Sequence, residues 1–194
     1  SAQSITIDGD DFAGNDSFTA GSGDDSITFA ASGDSYTVSI SGTGGSEVVT
    51  VTQTGADADT LRNFETIEFT DGDVLIVGAG GYADIGAAAS AAAASGDSIL
   101  IASAEPVSVA TAQTINTKGI TFENGITLTT IADTAANISA ADFSSAALNA
   151  FTTITNETAG TAATLDAAEL GSGDITLNGS GDFTVTGSAT ELSA

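Results

Sequence analysis

Asp-Ser occurs three times at nine-residue spacing, at Asp16-Ser17, Asp25-Ser26 and Asp34-Ser35, each time followed by a large apolar residue, Phe18, Ile27 or Tyr36. A period this short limits what the chain can become. Nine residues hold one turn and one short strand, and such a unit cannot bury its apolar side alone, so neighbouring units must stack. Gly14 precedes the first pair, Gly21 and Gly23 the second, and Gly33 the third. Glycine lets the backbone bend tightly, and aspartate places a carboxylate on the bend.

The charge narrows the partners. Asp and Glu number 26 against two basic residues, Arg62 and Lys118, for a net charge of −24 over 194 residues. Nucleic acid and anionic membrane surfaces need clustered Lys and Arg, so neither is a partner. The balance suits a chain that binds divalent cations or works in salty water. With no Cys or His, disulfides, thiolate metal sites and the usual zinc ligand and general base are excluded. The Ala-rich run at 87–94 is too short to span a bilayer, so no membrane insertion is expected.

Along the chain, Asp71-Gly72 lies between two apolar runs and predicts a hairpin over Thr66 to Val77. Gly78 to Gly81 reads as a boundary, giving expected domains 1–78 and 79–194. Behind it an Ala-rich helix opens near Tyr82 and stops at Gly96-Asp97. Short strands are expected at Ser98 to Ala102, Val107 to Val109, Gly119 to Phe122 and Ile126 to Thr129. Two eight-residue units with Gly-Ser-Gly-Asp turns, 171–178 and 179–186, and a degraded third, 187–194, follow near the end.

The segment from Phe12 to Thr37 resembles the calcium-binding nonapeptide G-G-x-G-x-D-x-U-x of RTX proteins. With the low-complexity acidic coils behind it, the chain resembles a bacterial RTX or S-layer-type surface protein exported by type I secretion. That resemblance implies an all-β fold: a β-roll or β-solenoid, parallel β-helix-like, with one short Ala-rich capping helix. It implies Ca2+ held by Gly14, Asp16, Gly21, Gly23, Asp25, Gly33 and Asp34, with Asp16 and Asp34 as partners on one side and Asp25 on the other. The competing reading of the same residues is a set of acidic β-turns with no specific ion.

The function implied is a calcium-stabilised surface-layer or filament subunit, secreted to the cell surface. It would self-assemble as a homo-oligomer through its solenoid, with cell-surface polysaccharide as a further partner. The alternatives are a ligand- or glycan-binding adhesin segment, marked by an aromatic cluster near Phe64, Phe69 and Tyr82, and a β-helix polysaccharide-active enzyme. The expectation is that the chain is not an enzyme, because sugar sites want aromatic platforms and lyases want basic residues, and this chain has few of either.

Overall fold

The computed structural model describes residues 6–8, 14–42, 46–53, 58–93, 96–170 and 174–188, with the backbone alone for 6–8. The chain divides into two compact units, residues 1–103 with 118–126, and residues 104–117 with 127–194.

Two sheets build the first unit. One runs in the order β1 (Thr6–Asp8), β3 (Ser26–Thr28), β7 (Thr66–Phe69), β8 (Gly72–Ile76), β9 (Ser98–Leu100), β10 (Thr121–Phe122). Every pairing in it is parallel except the β7–β8 hairpin. The other runs β2 (Ser17–Thr19), β6 (Ala58–Arg62), β5 (Val48–Gln53), β4 (Tyr36–Ser41). Here only β2–β6 is parallel. Period-two alternation explains the burial: Val49 and Val51 are buried, while Val48, Thr50 and Thr52, alternating with them, are half-buried. Ile27, Leu61, Phe64, Ile67, Ile76 and Leu100 form the centre of the core.

The expected hairpin forms, with its two-residue turn at Thr70-Asp71 and Gly72 already paired with Phe69. Gly72, with φ +155°, passes so close to the Gly96 carbonyl that a Cβ would overlap it. Helix α1 (Ile85–Ala91) starts at Asp84, whose side chain accepts the Ala87 N–H at 2.8 Å, and it buries Ile85, Ala88 and Ala89. Its last carbonyls are met by Lys118, whose Nζ donates to the carbonyls of Ala89 and Ser90 at 2.9 Å and Ala92 at 2.6 Å.

In the second unit β11 (Thr130–Asp133), β12 (Thr153–Asn156) and β14 (Thr176–Gly179) pair in parallel, as do β13 (Ala163–Asp166) and β15 (Phe183–Thr186). Helices α2 (Val109–Lys118, of which Lys118 falls in the first unit), α3 (Ala135–Ser139) and α4 (Ala167–Leu170) lie between strands. Parallel neighbours need a long return, and helical segments supply part of it.

The expected all-β β-roll or β-solenoid with one capping helix is therefore corrected to a mixed α/β fold. Four α-helices occur among the described residues, and the sheets mix parallel and antiparallel pairing. Strands β2 and β4, which a roll of nonapeptides would make neighbours, lie at opposite edges of their sheet with β5 and β6 between them. The RTX/S-layer resemblance falls with it. So does the reading as a calcium-stabilised lattice or filament subunit self-assembling through a solenoid.

Local capping accounts for much of the difference. A strand is expected at Val107 to Val109, but only Val107 bridges, to Ile131. Ser108 then caps a helix by accepting the Thr111 N–H at 3.1 Å, and the Val109 N–H reaches Asp133 Oδ2 at 3.0 Å. The strand expected at Ile126 to Thr129 forms at Thr130–Asp133 instead. The eight-residue units do form strands, but β14 and β15 join different sheets rather than stacking on each other. Most of the third unit lies outside the described residues.

Candidate functional site

Each of the three Asp-Ser turns meets an acidic residue far downstream, and the three meetings differ. Asp16 sits just before β2. Its N–H donates to Asp59 Oδ1 at 3.0 Å, across 43 residues, and its carbonyl accepts the Thr60 N–H at 2.9 Å. The neighbouring Asn15 Oδ1 accepts the Ala58 N–H at 2.8 Å, which fixes the turn against β6. Asp16 Oδ2 is buried and has no hydrogen-bond partner among the described residues. A carboxylate oxygen shut away from water without a donor is costly.

Asp25 sits just before β3 and is 1 % exposed. Its N–H donates to Glu65 Oε2 at 2.6 Å, across 40 residues, while its carbonyl accepts the Glu65 N–H at 3.0 Å. Glu65 is itself buried. Burial pushes the Glu65 carboxyl above the usual range, and the charges of Asp25 and Asp24 push the same way against the opposing pull of the Asp25 N–H.

Asp34 lies in a 3-10 turn, Gly33–Ser35, capped by Ser32. Asp71 closes this corner: it accepts the Gly33 N–H at 2.7 Å, across 38 residues, and also the Ser32 hydroxyl. The Ser32 hydroxyl and the Gly33 N–H hold the Asp71 carboxyl below its ordinary range. Asp34 itself is exposed.

The structure thus places Asp16, Asp25 and Asp34 at three separate corners. Asp16 and Asp34 are not brought together. Of the glycines, Gly14 and Gly23 take positive φ, at 119° and 153°, while Gly21 and Gly33 do not. A Cβ on Gly33 would touch the Phe69 ring, and one on Gly21 would meet nothing. The partner acids Asp59, Glu65 and Asp71 are absent from the expected set, although their own six-residue spacing was there to be read. Among the described residues no group of three or more acids converges as a metal cage.

Elsewhere acids act as ties between strands. Asp97, 3 % exposed, accepts the Asp73 N–H at 3.2 Å and the Ala93 N–H at 2.8 Å. Asp73 is pushed up by burial, then by the charges of Asp97 and Glu68. Asp174 and Asp182, in the Gly-Ser-Gly-Asp turns, are exposed.

A cleft of about 530 Å³ opens in the first unit beside the third corner, lined by Asp34, Asp71, Asp73, Glu123, Tyr36 and Phe69 among others. Phe29, Tyr36 and Phe69 pack ring against ring, with centroids 5.0 to 5.7 Å apart. Phe64, Phe69 and Tyr82, whose exposure as a cluster would mark the adhesin alternative, are not exposed: Phe64 and Phe69 are buried and Tyr82 is half-buried.

No protein-family model, curated protein or solved structure matches the chain.

Proposed function

We propose that the chain is a non-catalytic extracellular module whose first unit takes Ca2+ at the Asp16–Asp59 corner. The observation that carries this reading is the buried Asp16 Oδ2 without a donor, beside a second carboxylate already bound to the Asp16 backbone. A hard cation with a preference for oxygen ligands offsets the cost of that oxygen, and two carboxylates give it a charged foothold. Asp16 and Asp59 would hold the ion, with water completing the shell. Bound there, it would tie the turn before β2 to the start of β6.

Catalysis has few groups to draw on. The chain has no His or Cys, and its two cations are engaged: Lys118 at the end of α1, and Arg62, whose guanidinium donates to the Glu47 carbonyl at 3.1 Å. Millimolar calcium outside cells would keep a weak site filled.

The test is thermal unfolding and calorimetric titration of the chelator-stripped chain. At a hundredfold excess of calcium over Kd the linkage gain is about 2.7 kcal/mol, or roughly 5–10 °C in Tm for a chain of this size. Asp16→Asn should abolish the shift and leave the calcium-free Tm unchanged or higher. A wild-type chain that shows neither heat nor a shift in millimolar calcium overturns the reading.

A further inference from the structure

We propose that Asn124-Gly125 is a site of spontaneous covalent modification, at which the asparagine closes to a succinimide and opens to aspartate and isoaspartate. The chain has eight asparagines, and only Asn124 and Asn178 are followed by glycine. That successor matters because the reaction requires the next backbone nitrogen to reach the side-chain carbon, and any Cβ on the successor crowds the approach. The other six asparagines precede Asp, Phe, Thr, Ile, Ala and Glu.

The fold treats the two Asn-Gly steps in opposite ways. Asn124 is exposed in the short turn Glu123–Gly125, outside any strand, with φ 63° and ψ 10°, and Gly125 follows at φ 64°. Both residues are in the left-handed region, which is uncommon for a side chain other than glycine. Ring closure requires the Asn124 ψ to swing away from this value, and an exposed turn with no sheet ladder can allow it.

Asn178-Gly179 is part of β14, in parallel register with Thr155 and Asn156 of β12. The Gly179 backbone lies so close to the Asn156 backbone that a Cβ there would overlap it. The next two N–H groups, of Ser180 and Gly181, both donate to the Asn156 carbonyl, at 3.0 and 3.2 Å. To react, this step must first leave the sheet, and such local opening is rare.

The chemistry needs only water. The Gly125 amide nitrogen gives up its proton to hydroxide and attacks the Asn124 side-chain carbon. The new C–N bond forms as the carbon–amide bond breaks, and ammonia leaves. Water then adds to either carbonyl of the five-membered imide. One opening leaves aspartate in the ordinary backbone, and the other carries the backbone through the side-chain carbon. No electron is gained or lost. Either product adds a carboxylate to the cleft, where Glu123 already bonds to the Ser98 hydroxyl at 2.7 Å.

The experiment ages the full chain in mildly alkaline buffer and follows both steps by peptide mass mapping and isoaspartate assay. Asn124 should react at least about tenfold faster than Asn178 in the folded chain, and the two rates should converge in denaturant. Asn124→Gln should remove the early acidic species on ion exchange. The proposal is overturned if Asn124 stays intact while Asn178 reacts, or if both react equally in the folded chain. Because both steps are read in the same wild-type molecules, the comparison stands even where a variant folds poorly.

Discussion

The second and third corners begin from the same Asp-Ser motif and end in opposite electrostatic states. At the second, Glu65 faces Asp25 inside the protein, its carboxylate accepting the Asp25 N–H at 2.6 Å, and its carboxyl is pushed up. At the third, Asp71 sits in water with a hydroxyl and an N–H both directed at it, and its carboxyl is pulled down. Motif residues place the turns. Burial and the number of donors decide what charge each turn carries.

The contrast should be widest when the partner acid is removed. Glu65→Ala removes the carboxylate that accepts the buried Asp25 N–H, at a cost of about 1–3 kcal/mol. Asp71→Ala should be much milder, because water can replace an exposed carboxylate. Denaturant melts of the two variants would compare them, and an equal loss would mean that burial is not what separates the corners.

A subtler substitution isolates charge from hydrogen bonding. Glu65→Gln keeps an oxygen for the Asp25 N–H and removes the like-charge conflict, so it should stabilise the chain at neutral pH. A carboxyl raised in the folded state is most costly when ionised, and stability recovers as pH falls through the folded pKa. The advantage of Gln should therefore shrink on acidification. A gain that does not change with pH would point to packing instead.

Acid should also separate the corners in the wild-type chain. Asp71, lowered in the folded state, contributes stability that is present above its unfolded pKa and lost as pH falls through its folded one. Amide exchange should then show Gly33 losing protection at a pH where Asp25 keeps it. The smallest effect is expected for Asp34→Asn, since Asp34 is an exposed member of its turn, and melts should show almost none.

Legibility followed sequence distance. The Thr66–Ile76 hairpin could be read because Asp71-Gly72 and its flanks are local. Helix α1 was visible because its alanines and the Asp84 cap are neighbours in sequence, but it stops at Ala91, short of the expected Gly96-Asp97. Helix α2 was not, since Val, Thr and Asn are mediocre helix formers and its ends are held by Asp133 and by the α1 carbonyls, all remote in sequence. The corners failed in the same way. Asp16, Asp25 and Gly33 each find a partner 38 to 43 residues downstream, whereas a nonapeptide repeat places partners only one or two units away.

Lys118 has a practical consequence. It is the chain's one side-chain amine, and three carbonyls at the end of α1 share its protons. Acylating reagents should reach this half-buried amine faster once that helix end lets go. How fast the lysine takes up a dye is thus a built-in gauge of the first unit's integrity, readable without introducing a label of any other kind.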